Sequence, residues 1–211
     1  MHAHSIWARG TKTLKVWLLN LAGSTAAMAL LAGTVPATAH AQATANATSV
    51  NTVALPGELQ ADLPAARLAG TARLTFWGLD IYNAALWVPP DFQSARYPQH
   101  PFALQLTYLR SLDGAAITKR SIDEMLRQVK FTPERAQAWQ TAMAAIFPDV
   151  KSGDRITGIH KPGVGASFLL NGKPRGDIAD AEFARLFFGI WLSDATSEPA
   201  MRKALLAQTA P

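Results

Sequence analysis

The chain has 211 residues, of which 49% are apolar and 17% charged, and these proportions are typical of a globular protein and exclude a disordered chain. It contains no cysteine, which excludes disulfides, thiol nucleophiles and cysteine-based metal sites. The formal net charge is only +5 and no run of Lys or Arg alternates with aromatic residues, so we expect no nucleic-acid partner.

The N-terminus has the three parts of a secretory signal. A basic segment ends at Lys15, an apolar stretch runs from Val16 to Val35, and Ala39-His40-Ala41 fits a small-residue cleavage site. The alternative is an uncleaved anchor, because the apolar stretch approaches the roughly 20 residues that span a bilayer. Small and polar residues within the stretch favour cleavage, so we expect a periplasmic or secreted protein without a membrane span after cleavage.

Three regions follow from this interpretation. We predict a signal peptide over residues 1–41, a flexible leader over residues 42–54 and one folded domain over residues 55–211. The signal peptide contains three basic residues and no acidic one, so the rest of the chain has a net charge of only +2. This low charge again argues against nucleic acid as a partner.

Alternating and apolar runs predict three strands at the start of the domain. They cover residues 69–76, 81–88 and 102–110, with Trp77-Gly78 as a bend between the first two. Two further strands are predicted over residues 154–160 and 165–170, followed by a tight turn at Asn171-Gly172.

Start signals and helical spacing predict four helices. Ser121 and Glu124 form a capping-box pattern, and Thr132 precedes a proline that suits the first helical position. Asp180 precedes a helix with a strong apolar stripe, and a final helix is predicted over residues 198–207. Strands joined by short turns and helices with one apolar stripe predict an α+β fold, in which helices cover one face of a largely antiparallel sheet.

The segment from Arg73 to Trp87 resembles the core hairpin of bacterial chalcone isomerase-like proteins. The resemblance spans about residues 55–207 and implies an open-faced sandwich, a large antiparallel sheet with one layer of helices. Further matching motifs occur in the expected order: Leu106-Thr107-Tyr108-Leu109-Arg110, Gly153-Asp154-Arg155-Ile156, Pro162-Gly163, Asn171-Gly172 and Phe187-Phe188-Gly189-Ile190-Trp191-Leu192.

This resemblance implies two kinds of function. The family contains plant enzymes that close a chalcone to a flavanone, and non-enzymatic plant members that bind fatty acids. The enzymes use an arginine before the hairpin and a tyrosine after the third strand, whereas Gly70 and either Ala116 or Ile117 stand there in this chain. We therefore favour non-catalytic binding of a small apolar ligand, for example a fatty acid, over an isomerase (an intramolecular lyase) and over an envelope scaffold that binds an unidentified protein partner.

Four residues are candidates for holding the polar end of such a ligand. Arg110 follows an apolar row on the third predicted strand, and its guanidinium would suit a carboxylate. Tyr82 and Tyr108 are phenol donors within apolar rows, although each would also fit as a core tyrosine. Arg73 is either a pocket cation or an exposed arginine beside an aromatic ring.

The remaining aromatic and histidine residues are interpreted as structural. Trp77, Trp139 and Trp191 are predicted to be core anchors. Only His100 and His160 lie beyond the signal region, far apart in sequence, so no metal site or cofactor is predicted.

Overall fold

A computed structural model describes residues 53–210. The predicted signal peptide, and the predicted leader up to residue 52, lie outside the described residues. Within residues 53–210 no helix combines the length and apolar character needed to cross a membrane.

Six strands form a single antiparallel sheet in which each strand pairs with the next one in sequence. Successive strands therefore alternate in direction, and the turns that follow β1, β3 and β5 all lie at one end. We call this the Trp77 end of the sheet. The strands are β1 (Arg67–Phe76), β2 (Leu79–Val88), β3 (Phe102–Tyr108), β4 (Arg155–Lys161), β5 (Gly165–Leu170) and β6 (Lys173–Ile178).

Four helices follow β3 and β6, and three of them begin within one residue of where the sequence predicts. The side chains of Thr132 and Asp180 accept hydrogen bonds from backbone N–H groups in the first turns of α2 and α3. Short 3₁₀ segments occupy Gly57–Leu59 and Ser94–Gln99. The helices are α1 (Gly114–Gln128), α2 (Pro133–Ile146), α3 (Ala181–Leu192) and α4 (Pro199–Leu205).

The predicted start of α1 at Ser121 is wrong, because the helix begins seven residues earlier at Gly114. Ser121 lies inside the helix, where its hydroxyl donates to the carbonyl of Ile117. The true N-terminus is held by a distant residue, since the N–H of Gly114 donates to the Asp149 carboxylate over 2.8 Å.

Two strand predictions also need correction. β3 ends at Tyr108, so Arg110 lies beyond the strand instead of on it. β6 was not expected, because Lys-Pro-Arg-Gly-Asp-Ile shows no alternation of apolar and polar residues. It forms as the partner of β5 across the Asn171-Gly172 turn and is an edge strand, where proline is tolerated.

The two faces of the sheet are covered differently. The inner face packs under the helices against a large core that includes an aromatic cluster (Phe102, Phe147, Phe168, Phe183, Phe187, Phe188). On the outer face, Leu59 and Leu63 from the segment before β1 pack on Trp87, Ile159 and Leu169. The predicted arrangement, with the helix layer on one face of the sheet, is confirmed.

Candidate functional site

The structure brings two of the predicted residues together on the inner face. Tyr82 of β2 and Tyr108 of β3 are direct cross-strand partners near the Trp77 end. Their ring centroids are 6.0 Å apart with an interplanar angle of 75°, a favourable edge-to-face arrangement. Strand alternation placed each tyrosine in an inward-facing row, and the antiparallel register then makes the two rows adjacent.

The two hydroxyls differ in their partners. Tyr82 accepts a hydrogen bond from the indole N–H of Trp191 over 3.0 Å. No hydrogen-bond partner for the Tyr108 hydroxyl lies within residues 53–210, and the residue as a whole is 3% exposed. Burial raises the pKa of both phenols well above the usual value, so both stay protonated at neutral pH. They can donate hydrogen bonds to a ligand oxygen but do not act as bases.

A charged cluster from two helices adjoins Tyr82. Glu124 of α1 is only 5% exposed and forms ion pairs with Arg120 and Arg127. Glu198, immediately before α4, is half-buried. Its pKa is raised, mainly by burial and also by the charge of Glu124, while Arg120 opposes the rise. The pKa of the Tyr82 hydroxyl is also influenced by the charges of Glu198, Arg120 and Glu124.

The sequence analysis missed this cluster. Arg120 and Glu124 are separated by four residues, which is a recognisable ion-pair spacing on a helix. The capping-box interpretation hid that signal, because it placed Glu124 in a first helical turn instead of on a buried helix face. For Glu198 no local pattern was available, since its position beside Glu124 depends on how α4 packs.

Arg110 lies two residues after Tyr108 and is half-buried. Within the described part of the chain its guanidinium has no hydrogen-bond or ion-pair partner. The sequence left open whether an intramolecular acid would neutralise this arginine, and none among residues 53–210 does. A half-buried guanidinium without a carboxylate partner is suited to binding an anionic group.

Arg73 is placed apart from the other three candidates. It is exposed, and its guanidinium binds the carboxylate of Asp80 over 2.8 Å and the amide oxygen of Asn83 over 2.9 Å. These contacts lie on the outer face of the β1–β2 hairpin, so Arg73 does not adjoin the tyrosine pair.

Of the three tryptophans predicted as core anchors, two are buried and one is exposed. Trp139 and Trp191 are buried, which confirms the prediction for both. The prediction for Trp77 is wrong, because this side chain is 82% exposed. Trp77 occupies the two-residue turn between β1 and β2, beyond the end of the sheet, and no core lies under it.

The packing of the inner face limits where a ligand can lie. The aromatic cluster fills the interface between α3 and strands β3 to β5 with interlocking rings. On β1, α4 packs closely over Gly70, whereas Ala72 and Leu74 remain only half-buried although they face the core. The inner face therefore keeps some exposed apolar surface at the Trp77 end, over β1 and beside Tyr82.

No metal site is formed by the residues that the structure describes, since no group of three or more potential protein ligands is placed to hold an ion. His160 is buried, its Nδ1 lies 2.8 Å from the carbonyl of His100, and its ring stacks on Phe102.

The candidate site offers phenol donors, a guanidinium and an apolar floor.

These features define a class of protein, an open-faced α+β sandwich built on one antiparallel sheet. The profile of the chalcone isomerase-like family matches residues 47–207, and the chain belongs to this family. The predicted family and fold class are thereby confirmed, whereas membership of a bacterial secreted branch stays a prediction.

Solved structures also share this fold. A fatty-acid binding protein of Arabidopsis thaliana has a similar fold, with a TM-score of 0.53 and 12% sequence identity. The superposition covers 67% of this chain and 87% of the plant protein. At this identity the similarity establishes the fold alone. No curated protein matches the sequence.

Proposed function

We propose that this domain binds a small apolar ligand that has an acidic or carbonyl end group, such as a fatty acid, without transforming it. The observation that carries the proposal is Arg110, a half-buried residue whose guanidinium has no partner in the described chain. The Tyr108 hydroxyl, two residues earlier, is a second polar group for which residues 53–210 provide no partner.

The ligand's apolar part would lie on the half-buried row of β1. Leu74 pairs with Tyr82 and Ala72 pairs with Ala84 across the β1–β2 ladder, and together they provide an apolar floor. Burying an acyl chain there stabilises the complex by about 25 cal/mol for each Å² of apolar surface removed from water. The fatty-acid binding protein of Arabidopsis with the same fold is consistent with this chemistry.

The charge distribution favours binding over catalysis. An isomerase of the chalcone type needs a cation that stabilises a phenolate and a group that orients a ketone. Gly70, Ala116 and Ile117 provide no such groups at the positions implied by the family resemblance, and the high pKa values of both tyrosines leave them as neutral donors.

Binding is tested with delipidated protein and palmitic acid, by isothermal titration calorimetry. We expect saturable binding, and a loss of about 10- to 150-fold in affinity in Arg110→Ala, because a charge-assisted hydrogen bond contributes about 1.5–3 kcal/mol. Arg73→Ala is the matched control and should bind like the unchanged protein, since Arg73 is ion-paired on the outer face. Absence of binding, or equal losses in both variants, would overturn the proposal.

Catalysis is tested separately with a chalcone in an absorbance assay. We expect no turnover above the uncatalysed rate. Turnover that disappears in Tyr82→Phe would favour the isomerase instead.

We further propose that the domain acts outside the cytoplasm, supported by the basic, apolar and small-residue segments of residues 1–41. Cell fractionation with N-terminal sequencing of the purified protein tests this. A mature chain that begins at Gln42 is expected, and a cytoplasmic protein that retains Met1 would contradict it.

A further inference from the structure

The tip of the β1–β2 hairpin exposes apolar side chains. Trp77 is 82% exposed and Leu79, on the other side of the turn, is 49% exposed. The indole ring lies 6.1 Å from the ring of Phe76 but is otherwise directed into solvent. We call residues Phe76 to Leu79 the hairpin tip.

Trp77 is also conformationally unfavourable at this position. The turn has φ values of +52° at Trp77 and +74° at Gly78, and a second two-residue turn in the same sheet has +52° at Asn171 and +78° at Gly172. Turns with two positive φ values strongly favour Asn-Gly, whereas a bulky residue at the first position is strained. The chain therefore uses the favoured residue in one turn and a costly residue in the other.

Nothing in the described packing compensates for this cost, because the Trp77 side chain is largely solvated. A strained residue that contributes little to the fold indicates an interaction outside it. The size of the exposed surface restricts the kind of partner. A stable protein interface buries about 800 Å² on each partner, and a turn with two exposed apolar side chains provides much less.

A lipid surface fits the tip better. Tryptophan favours the membrane interface, where its ring is buried among acyl chains and its N–H stays near the headgroups. The tip itself has no charged side chain, and the first charged groups behind it, Asp80 and Arg73, neutralise each other. A short apolar tip above a neutral polar base matches shallow insertion.

The tip also lies at the end of the sheet that carries the candidate site. Tyr82 is three residues beyond Leu79, and Leu74 is two residues before Phe76. We propose that the hairpin tip inserts into the interfacial layer of a lipid bilayer, so that an apolar ligand passes between the membrane and the site. The insertion is argued from the hairpin tip and does not depend on the proposed function, whereas the transfer of ligand rests on the proposed function.

The test measures binding of the purified mature protein, which is expected to begin at Gln42, to vesicles of phosphatidylethanolamine and phosphatidylglycerol by co-sedimentation, without added ligand. Trp77→Asn restores the favoured turn residue and should weaken vesicle partitioning about tenfold, while raising the melting temperature. The matched control is Val164→Asn. Val164 is 59% exposed in the β4–β5 turn at the opposite end of the sheet, so this change should leave partitioning unaltered.

The depth of Trp77 in the bilayer is measured through quenching of tryptophan fluorescence by brominated lipids. The difference in quenching between the unchanged chain and Trp77→Asn reports Trp77, because the other tryptophans are common to both. Strong quenching by bromines near the headgroups is expected. Unchanged partitioning in Trp77→Asn, equal loss in Val164→Asn, or a lowered melting temperature in Trp77→Asn would overturn the proposal.

The two proposals fail separately. If vesicle binding depends on Trp77 but the protein does not bind palmitic acid, the proposed insertion is retained and the proposed ligand binding is rejected. If the protein binds palmitic acid but vesicle partitioning does not depend on Trp77, the ligand binding is retained and the insertion is rejected.

Discussion

Tyr108 is a buried residue whose hydroxyl has no hydrogen-bond partner within the described chain. Tyr108→Phe removes only this atom, so we expect a free energy of unfolding within about 0.5 kcal/mol of the unchanged protein. Affinity for palmitic acid should fall about fivefold, since a neutral hydrogen bond contributes about 1 kcal/mol. Urea unfolding and calorimetry measure the two quantities, and a loss of stability without a loss of affinity would assign the hydroxyl to the fold.

Tyr82 provides the contrast at the same site. Tyr82→Phe leaves the buried indole N–H of Trp191 without its acceptor, and we expect a loss of about 1–3 kcal/mol in the free energy of unfolding. Urea unfolding of this variant beside Tyr108→Phe shows whether the two hydroxyls have different roles. Equal stability of both variants would contradict this assignment.

His160 makes stability depend on pH. Burial lowers its pKa, partly opposed by the bond to the His100 carbonyl, so the unfolded chain binds the proton more readily than the folded one. Stability is therefore retained above the unfolded pKa of about 6.5 and decreases as the pH falls below it, by at most about 1.4 kcal/mol per pH unit. Between about pH 7.5 and 5.5, His160→Asn should lose less unfolding free energy than the unchanged protein. Equal losses would contradict this.

At the residue scale, the positions of side chains were predicted correctly where the prediction relied on the alternation of inward-facing and outward-facing residues along a strand. The inward-facing rows of β2 and β3 were readable from the sequence, and the register makes Tyr82 and Tyr108 partners. Trp77 was mispredicted because an aromatic residue beside a strand resembles a core residue until the length of the turn is known.

At the element scale, α4 is docked on β1 through a backbone contact. A methyl group at Gly70 would lie 2.1 Å from the carbonyl oxygen of Ala204 and 2.6 Å from that of Leu205. Neither backbone group can rotate away, so Gly70→Ala should displace α4 and cost about 1–3 kcal/mol in the free energy of unfolding. Gly57→Ala is the control, because a methyl group there meets nothing within 4 Å. Equal stability of both variants, measured by urea unfolding, would contradict this docking.

Elements with local signals were predictable, and elements fixed by distant partners were not. The caps at Thr132 and Asp180 are recognisable in the sequence and determine where α2 and α3 begin. The start of α1 depends on Asp149, which lies 35 residues away from Gly114 in the chain. β6 is ordered by pairing with β5 and not by its own composition.

At the scale of the whole molecule, a ligand that binds only the folded domain must stabilise it. Palmitic acid at about 100 times its dissociation constant should raise the free energy of unfolding by about 2.7 kcal/mol. Thermal unfolding with and without the fatty acid measures this effect, which should shrink in Arg110→Ala and persist in Arg73→Ala. An effect of the same size in both variants would place the ligand elsewhere on the molecule.

The position of the ligand is the central claim, and photo-crosslinking tests it most directly. Delipidated protein is irradiated with a palmitic acid that carries a diazirine, with and without excess palmitic acid, and the adducts are located by mass spectrometry. We predict competable adducts on peptides that contain Leu74, Tyr82 or Tyr108, at the Trp77 end of the inner face. Adducts confined to the exposed surface of α2, or adducts that excess palmitic acid does not suppress, would contradict the account.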